Sequence, residues 1–163
     1  MAIRRHLKMN EVRTRLDILG DYEDLCEIEK AVESKYLIFD LDSIIQTPEF
    51  DNRDDMEEWR KDNWGTKYNA SMMTKMGYNT NKSVLSYQFV FKEEIPFICI
   101  AKLSAIFPNV WFNIHSDYYH TDTRSISTFG KGRCTRVSVM TWSDSDFDMN
   151  KYNTAIKKVL KDG

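Results

Sequence analysis

Several stretches of the chain alternate apolar and polar residues with a period of two, and this pattern restricts the fold more than any other feature. Val12, Thr14, Leu16 and Ile18 interleave with Arg13, Arg15 and Asp17. A β-strand sends successive side chains to opposite faces, so the segment predicts a strand with one buried and one wetted side. The pattern recurs in SVLSYQFVF, residues 83–91, where Leu85, Tyr87, Phe89 and Phe91 share a face. It recurs again in NVWFNIHSDYY, residues 109–119, with Val110, Phe112 and Ile114 inward. YLIFDLDSII, residues 36–45, sets Leu37, Phe39 and Leu41 against Asp40 and Asp42 and predicts a strand second in chain order. A sheet built this way is dry on one face and must be covered there.

The covering elements show helical spacing. Tyr22, Leu25, Ile28 and Val32 recur at helical intervals behind Gly20 and Asp21, with Asp21 placed to accept from free amides and Glu23 and Asp24 suited to the positive helix end. Pro96 fits the first turn of another helix, whose inner stripe is Cys99, Leu103 and Ile106 and which Pro108 closes. Gly130 and Gly132 punctuate a hairpin between SISTF and TRVSVMTW, and Met149, Tyr152, Ile156 and Val159 mark a last helix capped by Ser145 or Asp146. The long interruption from Gln46 to Asn81 holds DDMEEWRKDNW, which reads as a short helix.

The order predicts an α+β, ferredoxin-like βαββαβ sheet with its helices on one face and an acidic and aromatic insertion, residues 46–81, between strands 2 and 3. The 163 residues fit one domain, with a core over 12–120 and a hairpin plus helix extension over 121–163. Cys26, Cys99 and Cys134 have no CxxC spacing and read as reduced thiols of a cytoplasmic protein. The basic start MAIRRHLKMNEVRTRL has no apolar run behind it, and no segment approaches the roughly 20 apolar residues that span a bilayer.

Net charge is only −2, but residues 21–63 hold 15 acids against 5 bases. That asymmetry is read either as solvated faces or as an acidic surface offered to a basic partner.

The segment NWGTKYNA, residues 63–70, followed by an aromatic strand, a Pro-led helix ending in LSAIFPNVWFNIHSDYY and a Gly-containing hairpin, resembles the YubB-type ferredoxin-like proteins of phages, prophages and plasmids. The resemblance covers residues 13–133, and NWGTK is its most specific part. Tyr68 and Asn69 stand where that family carries tryptophan and aspartate, and Ile44 to Pro48 replace a doubled-proline segment. The family has no assigned biochemical function, so the resemblance implies a mobile-element origin and a fold, and no catalytic residue.

Trp59, Trp64, Lys67 and Tyr68 are candidate partner contacts, because Trp and Tyr anchor interfaces and a lysine beside the Gly65 and Thr66 amides can hold an anion. The competing reading makes the aromatics a lid on the core, with Gly65 allowing the turn. Asp51, Asp54, Asp55, Glu57 and Glu58 complete the candidate contact surface. Together these features predict a non-enzymatic accessory protein that blocks a host protein, of an anti-defence, anti-CRISPR-like kind aimed at a nucleic-acid-handling factor.

The alternative is a nucleic-acid-binding module that uses the open sheet face and the basic strip Arg124, Lys131, Arg133 and Arg136, with Arg4, Arg5, Lys8, Arg13 and Arg15 near the N-terminus. YQFVFK lacks the small residues of the RNA-binding strand motif, and FGKGRCTR lacks the P-loop pattern. His115, Asp117 and His120 can begin a metal site but supply too few ligands on one face, and no nucleophile signature is present, so neither a metal, a cofactor nor catalysis is expected.

Overall fold

The alternation of residues 12–18 becomes β1 (Glu11–Leu19), with Val12, Thr14, Leu16 and Ile18 buried and Arg13 and Arg15 exposed. The computed structural model describes residues 10–141 and 149–161. After β1 come α1 (Tyr22–Val32), α2 (Leu41–Ile44), α3 (Arg53–Trp64), β2 (Met72–Tyr78), β3 (Val84–Lys92), α4 (Phe97–Ile106), β4 (Trp111–Tyr118), β5 (Thr123–Gly130), β6 (Arg133–Thr141) and α5 (Met149–Leu160). The architecture is α+β, one antiparallel sheet in the order β2-β3-β1-β4-β5-β6.

One face is covered. Leu25, Ile28 and Val32 of α1, Ile98, Cys99 and Leu103 of α4, and Tyr152 and Ile156 of α5 join the inward residues of β1, β3 and β4 in a single core. Phe39 lies on the aromatic row of β3, 5.1 Å from Tyr87 and 5.0 Å from Phe89, both edge to face. Each such burial removes a side chain from water at a gain of about 1.5–3 kcal/mol. Asn153 ties α5 to β6 through both amide atoms: its Oδ1 accepts from Cys134 N and its Nδ2 donates to Cys134 O, each at 2.8 Å. Asp21 stands at the N-cap of α1 without a side-chain capping bond, and Ile106, assigned to the inner stripe of α4, is 54% exposed. The capping residues expected for α5, Ser145 and Asp146, lie outside the described residues.

The second strand is not where the alternation puts it. Residues 36–45 bend and end in the single turn of α2, because side chains take their backbone groups: Asn69 Oδ1 accepts from Leu41 N (2.9 Å) and Asp40 Oδ1 from Asp42 N (3.0 Å). Phe39 and Leu41 are still buried, but as a layer over the sheet rather than a ladder within it. The strand that pairs with β3 is Met72–Tyr78. It escapes the period-two test because it is an edge strand exposed along much of both faces, with a register shift between Lys75 and Gly77, the latter at φ +90°. Residues 46–81 therefore do not form an insertion between strands 2 and 3. They hold α3 and β2 itself, and α3 belongs to the path from α1 to β2. No helix among the described residues is long and apolar enough to cross a membrane.

Candidate functional site

α3 begins at Asn52, whose Oδ1 accepts from Asp55 N (2.8 Å), and it ends at Gly65, whose N donates to Lys61 O (3.1 Å). Gly65 sits at φ +90°, and a Cβ there would fall 2.6 Å from the Phe97 ring, so both conformation and space demand glycine. Trp64 is 0% exposed; its Nε1 donates to Ile45 O (2.8 Å) and the Arg60 guanidinium lies 4.4 Å from its ring centroid. Arg60 also reaches Asp42 (3.3 Å) and Thr47 (3.2 Å). Asn69 holds the start of α2 through Leu41 N, and its Nδ2 donates to Asp40 Oδ1 (3.3 Å). NWGTKYNA is thus a clip that fastens residues 40–47 onto the core from one side.

This placement divides the candidate contact residues. Trp64 is a core lid and offers no surface to a partner. Trp59 is half-buried near Phe50, with ring centroids 6.3 Å apart. Tyr68 is half-buried beneath Lys92, whose Nζ is 5.3 Å from the ring centroid; burial, and then a hydrogen bond to Glu57, raise its phenol above the ordinary value. Lys67 is half-buried at the mouth of a groove. Asp51, Asp54, Asp55 and Glu58 are exposed on or just before α3, while Glu57 is half-buried and accepts from Arg53 Nε (2.8 Å). Asp55 is held by Asn52 Nδ2 (2.8 Å). That leaves Asp51, Asp54 and Glu58 as outward carboxylates without a bonded partner among the described residues.

The basic strip is spread along the β5–β6 hairpin rather than gathered at one point. Arg124 lies on the uncovered sheet face and donates to Asp117 (2.7 Å), whereas Lys131 and Arg133 sit at the β5–β6 turn. Six residue steps of extended strand lead from Arg124 to Gly130, about 20 Å at 3.3 Å per step. Arg136 pairs in register with Thr128, between these two ends. The same face pairs Arg15 with Asp17 (3.0 Å), so two of its arginines already have a carboxylate partner. Arg4, Arg5 and Lys8 lie outside the described residues. His115 approaches Asp17 at 4.0 Å, Asp117 turns to Arg124, and His120 packs edge-on to Tyr118 with centroids 6.0 Å apart, so the three residues of the H-x-D-x-x-H spacing take separate partners. Among the described residues, no group of three or more His, Cys, Asp or Glu is arranged to hold a metal ion.

Glu94 went unnoticed in the sequence. Burial raises its carboxyl above the ordinary range, opposed by the Tyr118 hydroxyl, which donates to Oε1 (2.5 Å), and by Ile95 N (2.9 Å). The acid directly precedes Ile95 and Pro96, and a carboxylate beside the start of a buried helix was the available signal.

No family model and no curated protein matches the chain. The crystal structure of protein api92 from Yersinia pseudotuberculosis, labelled with the family DUF1281, is similar with a TM-score of 0.48 and 11% identity over 66% of this chain and 40% of that one. The chain spans less than half the length of that protein, and a likeness this distant assigns neither fold nor function.

Proposed function

We propose that the chain is a non-enzymatic binding protein of a mobile genetic element, that its contact surface is the acidic outer face of α3, and that its partner is a host protein with a basic, nucleic-acid-binding surface. The observation that carries this reading is the pairing of outward, unbonded Asp51, Asp54 and Glu58 with an inner edge locked by Trp64 and Arg60. A rigid acidic helix presents its charges without an ordering cost, and complementary charge speeds encounter and excludes wrong partners. Blockade of the partner's cleft would then be steric and electrostatic.

The YubB-type resemblance belongs to the same proposal, as does the ferredoxin-like plan. Its support is the order β2-β3-β1-β4, antiparallel throughout, with α1 and α4 in the connections and β5 and β6 added beyond β4. Direct nucleic-acid binding by the hairpin has weaker support, because Arg124 is already paired and stands apart from Lys131 and Arg133.

The test is capture of host proteins by the wild type and by a D51N/D54N/E58Q variant at rising salt. The variant spares the bonded Asp55 and Glu57 and gives up only the dipole contribution of Asp54, so it should melt within about 4 °C of the wild type, lose the partner, and reproduce the loss that salt causes as screening shortens to about 8 Å at physiological strength. Retention of the same partner by the variant, or binding indifferent to salt, refutes the proposal.

A further inference from the structure

The loop that follows α3 opens onto a groove of about 900 Å³ between the C-terminal end of α3, the β3–α4 connection and α5. Five lysines line it: Lys61 and Lys67 from α3 and its loop, Lys92 from the end of β3, and Lys151 and Lys158 from α5. None of the five makes an ion pair among the described residues. The groove's acids are Asp62, Glu93 and Glu94, and Glu94 is the one that burial pushes toward its neutral form. Even with all three acids ionised, and with Lys151 acting electrostatically on Glu94, five lysines leave a surplus of two positive charges facing one concavity. Like charges gathered from three separate elements repel one another, and an isolated groove of this size and sign lacks its counter-charge.

A second observation points the same way. Thr66 lines the groove, is only 2% exposed, and its hydroxyl has no hydrogen-bond partner among the described residues. Buried hydroxyls are nearly always bonded, and a donor left unmatched is a standing cost that an arriving acceptor can remove by a rotation about one side-chain bond. Gly65 keeps the backbone close to Phe97 at this point, so the lip of the groove is bare of side-chain bulk between Trp64 and Thr66.

We infer that this groove is a binding site for the phosphate groups of a small polyanion carrying three or four negative charges, such as a nucleoside triphosphate, with lysine ammonium groups as point-charge partners and the Thr66 hydroxyl as a directional donor. Phe97, Ala155 and Val159 on its walls give a ring or ribose apolar surface to rest on. The site is distinct from the acidic face of α3 and does not depend on it.

The test is calorimetric titration of the full chain at low salt with inorganic tripolyphosphate, with a nucleoside triphosphate, and with a single-stranded oligonucleotide. Tripolyphosphate and the triphosphate should both bind, with the triphosphate tighter. K67Q/K92Q and K151Q/K158Q should each weaken both by about tenfold or more, while K30Q/K35Q, on another surface, should leave them unchanged. T66V conserves shape, so it should melt at or above the wild-type temperature yet bind the phosphates more weakly, a split that a purely structural Thr66 does not produce. Absence of tripolyphosphate binding, binding of the oligonucleotide alone, or equal loss in K30Q/K35Q overturns the assignment. Wild-type affinity in T66V overturns the role of the hydroxyl.

Discussion

Gly65→Ala tests whether the clip that closes α3 is as tightly constrained as its geometry implies. Two costs are separable. The left-handed backbone at φ +90° costs an L-residue about 1–2 kcal/mol. The new Cβ, 2.6 Å from Phe97 Cδ1, must push the ring away, an overpacking cost of about 1–3 kcal/mol. Alanine restricts the unfolded chain and returns about 0.4–1 kcal/mol. The net loss is about 1–4.6 kcal/mol, centred near 3, which in a domain of this size lowers the melting temperature by about 2–18 °C. Thermal and urea unfolding followed by circular dichroism reads it, provided the urea m-value is unchanged. Gly65→Asn divides the two costs, because asparagine tolerates the left-handed region but brings the same Cβ. If Asn recovers about 1 kcal/mol and no more, the Phe97 contact carries the rest. A Gly65→Ala protein that melts within about 2 °C of the wild type refutes the reasoning.

Trp64→Ala should cost about 3–5 kcal/mol through the cavity it leaves and the unpaired Ile45 carbonyl, and Trp64→Phe should cost markedly less; equal stability of the alanine variant in urea unfolding would show that Trp64 is not the lid of the core. Glu94 supplies a pH signature. Because its folded carboxyl titrates above the ordinary 4.5, the stability tied to its neutral form is complete below that value and is lost as pH rises through the raised folded value. Glu94→Gln keeps acceptors for Tyr118 and Ile95, so it should flatten that decline in melting temperature above pH 4.5 and equal or exceed the wild type at pH 7; an unchanged pH profile counts against a buried neutral acid.

Much of the fold was legible because β1, β3 and β4 each have one face in the core and one in solvent, the condition under which a period of two appears. The hairpin announced itself through Gly130 and Gly132, and α4 through Pro96. The misreading at residues 36–45 came from the same signal. Phe39 and Leu41 are as buried as strand residues, but the deciding fact is that Asn69, far along the chain, takes the Leu41 amide, and no local pattern carries a bond across 28 positions. β2 failed in the opposite way: with both faces largely wet, MMTKMGY has no alternation to show. The acidic half of the candidate site was visible as a charge run within α3. Its basic counterpart was not, because the lysines of the groove are scattered from 61 to 158 and meet only through folding.

The charge pattern of α3 has an explanation that needs no partner. Asp54 and Asp55 in the first turn and Lys61 in the last oppose the helix dipole, each worth about 0.3–1 kcal/mol, and Arg53 with Glu57 adds an exposed pair of at most similar size. Those residues would be selected for helix stability alone. The dipole accounts only weakly for Asp51, one residue before the N-cap, and gives no reason for Glu58 at the middle of the helix. It gives none for Lys67, Lys92, Lys151 and Lys158, which lie on other segments yet face one groove. The two surfaces also share one fixed turn: Trp64–Thr66 anchors the acidic helix on one side and forms the lip of the basic groove on the other. A loss at the groove in D51N/D54N/E58Q would therefore mean that α3 had moved, whereas loss of partner with the groove intact assigns the carboxylates themselves. The residues that distinguish binding from solvation in this protein are thus the charges that local helix energetics leaves unexplained.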